Sequence, residues 1–252
     1  MWNALLGDAD FGPTHKELRR ARDQTEALDS PINRAQLATW QSAVHLVSGD
    51  WAAAEAAARR ALEDSVDTTF DLFATSCLCH ARLHLGDPHA ALQHADRHPQ
   101  RDGELTHGNL LGIAAAIAQV QGGDANNGLA AISHIQRRAR QAPFVIQRDD
   151  AAIAIAYIAR LLQHDDLTMQ ILETGVLGYG PWIGHLVPKM CRDLGIPLVG
   201  YASRSVAERQ ERSVFYGTVA SRVLRQLCER QSPNSAPASD GRDLRSIERE
   251  NR

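Results

Sequence analysis

The stretch Gly49-Asp50-Trp51-Ala52-Ala53-Ala54-Glu55-Ala56-Ala57-Ala58-Arg59-Arg60-Ala61-Leu62-Glu63 decides how this chain is read. Glycine tolerates the left-handed conformation that ends a helix, and the aspartate after it can cap the next one. The residues that follow are mostly alanine, the strongest helix former, with Ala54, Ala58, Ala61 and Leu62 on one face. The same punctuation returns at Gly86-Asp87-Pro88 and at Gly123-Asp124. The three Gly-Asp pairs begin at 49, 86 and 123, two steps of 37 residues. A fixed period of that size marks a helical-repeat array. One helix pair cannot bury its apolar face alone, whereas stacked pairs build a continuous core. A fainter fourth break falls at His164 and Asp165.

Outward from these turns, the pattern predicts helices over 14–28, 32–48, 51–63, 70–85, 88 to about 96, 109–121, 125–141 and 145–163, with a short one after 165. Ser30-Pro31 is a stop followed by a start, since proline suits the first helical turn. Gly175, Gly178, Gly180 and Gly184 punctuate a semi-apolar bend. A helix over 182–194, a turn at Gly195-Ile196-Pro197 and a last helix over 206–230 follow. The last helix carries an apolar stripe of Val214, Phe215, Val219, Val223, Leu224 and Leu227. The expected organisation is a repeat array over 1–174, a C-terminal helical cap over 175–231 and a disordered Ser/Pro-rich and charged tail over 232–252.

Composition agrees. The 252 residues are 44% hydrophobic and 23% charged, enough apolar surface for one full core. Only 5% are aromatic, which argues against a β-sandwich. A net charge of −3 gives no electrostatic reason to seek nucleic acid or an anionic membrane. Only Lys16 and Lys189 are lysines, an arginine bias that suits a GC-rich bacterial coding sequence. No run approaches the ~18 apolar residues of a spanning helix, and residues 1–8 lack a signal peptide's positive start. The expected compartment is the cytoplasm, where sparse cysteines such as Cys77, Cys79, Cys191 and Cys228 stay reduced.

The 49–63 stretch resembles the second half of a tetratricopeptide (TPR) repeat, where a Gly-Asp turn precedes an aromatic residue and two small helix-contact positions. Trp51, Ala54 and Ala61 match, as do Gly86, Asp87, Ala91 and Ala95 in the second copy and Gly123, Asp124 and Gly128 in the third. Ala38 and His45 stand where the family has tryptophan and tyrosine, and the resemblance covers about residues 32–141. Residues 17–46, running into Gly49-Asp50-Trp51, are similar to the C-terminal repeat regions of bacterial LuxR-type ATP-dependent transcriptional regulators and class III adenylate cyclases. In those proteins the repeats follow an ATPase core and serve sensing or partner contact. This chain has no Gly-x4-Gly-Lys-Ser/Thr phosphate loop, so no ATPase activity carries over. The resemblance implies an all-α, antiparallel helix-pair (TPR-like) solenoid with a C-terminal helical cap.

In such arrays the first helix of each pair lines the concave groove. That register assigns Thr39, Ala43 and Val47 to the groove from the first repeat, Phe73, Ser76, His80 and His84 from the second, and Leu110, Ile113 and Ile117 from the third. The alternative is that several of these are core, or are covered by the C-terminal helices. A mostly apolar groove suits a peptide or an amphipathic helix. Cys77, His80 and His84 share a helical face and are metal-ligating types, but no second ligand group with zinc spacing lies nearby. No metal and no cofactor is expected. Gly175 to Gly184 lacks the spacing of a nucleotide loop. The cluster Arg137, Arg138 and Arg140, and the pair Asp149 and Asp150, read as solvated helix ends. No catalytic constellation is evident.

The function expected is therefore a non-enzymatic, regulatory helical-repeat module for a protein or peptide partner. Homodimerisation through exposed end faces is left open. The alternative is a small-molecule sensor, its ligand held between the array and the C-terminal helices near Tyr179, Trp182 and Tyr201.

Overall fold

The computed structural model describes residues 12–28, 30–65, 68–98, 108–141, 145–174, 185–196 and 206–232. Eleven α-helices, and no strand, are found among them. They are α1 (Gly12–Leu28), α2 (Pro31–Ser48), α3 (Trp51–Asp64), α4 (Thr68–His84), α5 (Pro88–Arg97), α6 (Gly108–Gln121), α7 (Ala125–Gln141), α8 (Val145–Leu161), α9 (Asp165–Leu172), α10 (Leu186–Asp193) and α11 (Val206–Gln231). None is long and apolar enough to cross a membrane. Residues 1–11, Tyr179, Trp182, Tyr201 and the tail beyond 232 lie outside the described residues.

The repeated turn has one construction. Gly49 takes φ 84°, its N–H bonds Leu46 O at 3.2 Å, and the Asp50 N–H bonds His45 O at 2.9 Å. Two orphan carbonyls of α2 are thereby satisfied. The Asp50 carboxylate then accepts the Ala53 N–H at 3.2 Å and starts α3. Gly86 with Asp87 and Gly123 with Asp124 repeat both halves of this, with Asp87 accepting from Ala90 and Asp124 from Asn127. The fourth break is the same turn with a different residue. Gln163 sits at φ 61°, and the His164 N–H reaches back to Ala159 O at 2.9 Å. His164 makes no side-chain cap.

Each turn joins two helices that pack on one another: α2 on α3, α4 on α5, α6 on α7, and α8 on α9. They touch at an equivalent point. Ser42 Oγ donates to Ala54 O at 2.7 Å, Cys79 Sγ to Ala91 O at 3.3 Å, and Thr168 Oγ1 to Ala156 O at 3.2 Å. At the third pair Gly128 comes so close to the Ala116 carbonyl that a Cβ would lie 2.8 Å from it. Small residues are needed there because two backbones nearly meet. Arg34 adds a fork to Asp64, at 3.2 and 3.0 Å, between α2 and α3. Arg82 of α4 reaches Glu55 of α3 at 2.6 Å.

The first helices also pack on each other, α2 on α4, α4 on α6 and α6 on α8. Residues 113–118 of α6 and 149–159 of α8 are buried without interruption, so both helices are covered on all sides. Helix α11 lies on α7, α8 and α9. Its buried stripe runs Gly217, Val219, Ala220, Val223, Leu224 and Leu227. Val214 and Phe215, expected in that stripe, are more than half exposed, so they stand apart from the buried positions that run from Gly217 to Leu227. Asp149 and Asp150, expected as a solvated helix start, are buried instead. The helix begins at Val145, so both fall in its second turn, inside the packing. Burial pushes the Asp150 carboxyl up to about 7.

Candidate groove site and its histidine cluster

The ten residues expected to line an open groove are mostly interior. Thr39, Ala43, Ser76, His80, Leu110, Ile113 and Ile117 are buried. Val47, Phe73 and His84 are half-buried. The physical reason is the stacking of α2, α4, α6 and α8. Their apolar positions meet one another rather than solvent, and Thr39 turns its hydroxyl back to Ala35 O at 2.8 Å. Leu110, Ile113 and Ile117 belong to α6, which offers no exposed apolar stripe.

What remains is a compact polar cluster on α4. His80 and His84 are one helical turn apart on the same face. His84 Nε2 lies 3.0 Å from Nδ1 of His185, which immediately precedes α10. His185 also meets His80 edge-on, with ring centroids 4.8 Å apart. Trp51, the first residue of α3, stacks on His84 at 4.0 Å and 17°. Tyr157 of α8 closes a further side at 6.5 Å. Thus α3, α4, α8 and the start of α10 converge on two imidazoles.

The environment keeps those rings neutral. Burial, and then the neighbouring His84, hold His80 at about 3. Burial, and then the Lys189 ammonium, hold His84 at about 4. A neutral ring has one N–H and one lone pair, so the His84–His185 contact is a hydrogen bond that fixes complementary tautomers. Around it, neither ring nitrogen of His80 has a partner, nor do His84 Nδ1 and Ser76 Oγ. Each buried orphan of this kind costs roughly 1–3 kcal/mol.

Among the described residues no group of three His, Cys, Asp or Glu is arranged to hold a metal ion. Cys77, which the spacing placed with His80 and His84, is a core residue. Burial pushes its thiol up to about 12, against a hydrogen bond with Ser42.

Sequence reasoning reached His80 and His84 and missed His185 and Tyr157. His185 is 101 residues from His84. No local pattern links the two, and only the packing of α10 on α8 brings His185 there. Trp51 was legible as a repeat position but not as a ring stacked on the cluster.

No protein-family model, no curated protein and no solved structure matches the chain.

Proposed function

We propose that this chain is a TPR-type solenoid of antiparallel helix pairs, capped by α10 and α11, that binds a protein or peptide partner without catalysis and in a regulatory role. The recurring turn and the recurring small-residue contact support the repeat reading. The resemblance to the repeat regions of bacterial regulators supports the regulatory one.

The observation that carries the binding assignment is the seat of α10. This helix has eight residues and buries Leu186, Val187, Met190 and Cys191 while Arg192 and Asp193 face solvent. That is the pattern by which an amphipathic helix enters a groove. Its polar anchor is incomplete, because His80 and His84, which meet His185 at the start of α10, keep unsatisfied ring nitrogens. A segment that satisfied those atoms would compete well for the same seat. In this reading α10 holds the seat until a partner helix replaces it.

Native-state hydrogen exchange tests this. Amides of 186–193 should exchange through a local opening well below the global unfolding free energy. Exchange of α10 only through global unfolding would make it a fixed part of the core and remove the seat.

A second reading is a small-molecule sensor at this same interface. It rests on the two unpartnered nitrogens of His80, which a small polar ligand could satisfy.

A further inference from the structure

Away from the histidine cluster, the end of α3, the start of α4 and the end of α5 line an open surface cleft of about 340 Å³. That lies within the range of small-molecule sites, ~300 to 1,000 Å³. Its walls are chemically mixed. Leu62 supplies an apolar side, and Ser65 and Thr75 bring hydroxyls. Asp71 and Arg97 bring opposite charges, and His94 and His98 bring two imidazoles.

Two features single the cleft out. First, Arg97 and Asp71 line one cavity yet form no ion pair with each other or with any other described residue. The nearby guanidiniums of Arg59 and Arg82 are already engaged by Glu55. Second, the two imidazoles add no charge near neutrality. Burial, then Arg59, Arg82 and Arg97, lower His94, against Glu55. Burial lowers His98, against Asp71. At neutral pH the lining therefore presents one separated positive and one separated negative group beside neutral donors and acceptors. Helix dipoles account for an aspartate at the start of α4 and an arginine at the end of α5. They do not account for both charges facing a shared cavity without closing on each other.

We propose that this cleft binds a small zwitterion of the α-amino-acid type, its carboxylate on the Arg97 guanidinium and its ammonium on the Asp71 carboxylate. A guanidinium fork matches a carboxylate in two parallel hydrogen bonds. Ser65, Thr75 and the imidazoles complete the polar contacts, and Leu62 meets the ligand's side chain. The site is separate from the seat of α10 and stands or falls without it.

The test is a thermal-shift screen of the whole chain with the twenty amino acids at about 10 mM, then calorimetry on any hit. The same hit is assayed as its N-acetyl and its C-amide forms, each lacking one charge. Arg97→Gln and Asp71→Asn are assayed beside the wild type, with unliganded melting temperatures as the folding control. The expected result is a stabilising amino acid whose affinity falls about tenfold or more on capping either end and in either variant. The proposal is overturned if no amino acid stabilises the protein, if a capped form binds as well as the free one, or if either variant binds like the wild type.

Discussion

His84 Nε2 lies 3.0 Å from His185 Nδ1, and this bond ties α4 to the start of α10 across 101 residues of chain. In His185→Ala the bond and the ring contact with His80 are lost together. The expected outcome is hydrogen exchange at 186–193 that is about fivefold faster, since one such bond is worth ~1 kcal/mol. Exchange in α6 and α8 should hardly change, and a uniform acceleration would instead place His185 in the global core.

The histidines give stability an acid limb. His80 and His84 sit below the ordinary 6.5 in the folded chain, so the unfolded chain binds more protons between about pH 6.5 and 3. Their contribution is complete above that window and is lost as pH falls through it. Replacing His80 by leucine removes a titrating ring and two orphan nitrogens. Urea midpoints should show His80→Leu gaining on the wild type at about pH 5 more than at about pH 7.5.

Asp150 acts in the opposite sense. Its carboxyl is raised to about 7, so the folded chain holds a proton that the unfolded chain gives up above its ordinary value. Stability is lost as pH rises from about 4 through 7. Asp150→Asn should therefore match the wild type at about pH 4 and exceed it by a few kcal/mol at about pH 8. Equal curves at both pH values would contradict a buried, protonated carboxyl.

Gly128 is a contact residue as well as a helical one. A Cβ there would meet Val120 Cγ2 at 2.5 Å and the Ala116 carbonyl at 2.8 Å. Alanine favours a helix over glycine by ~1 kcal/mol, but overpacking against backbone costs ~1–3 kcal/mol. Gly128→Ala should lower the melting temperature by several degrees, and a rise would show that α6 and α7 can part at no cost.

Gln163 carries the reverse prediction. It holds the left-handed position that Gly49, Gly86 and Gly123 hold in the other turns. Gln163→Gly should stabilise the protein by up to about 1 kcal/mol, read from a denaturant midpoint.

The helices and their turns were legible because glycine, aspartate and proline act locally, and Gly49-Asp50 means in the structure what it meant in the sequence. Even the weaker break at His164 formed the same turn, although glutamine hid it. The groove was not legible to the same degree. Whether Ile113 or His80 faces solvent depends on which helices lie over it, and periodicity on one helix does not report its neighbours. The buried runs in α6 and α8 were a usable signal, since a helix apolar on every side is a covered helix. His185 had no such signal.

Partner affinity with α10 in and out of its seat tests the central claim most directly. Leu186→Glu/Met190→Glu places two carboxylates on the buried face of α10 and should unseat it while leaving α1 to α9 folded. A partner captured from the source lysate and purified is then titrated against both proteins. The account predicts about tenfold tighter binding to the variant, because the partner no longer has to displace α10. Equal or weaker binding, or no partner captured by either protein, would contradict it.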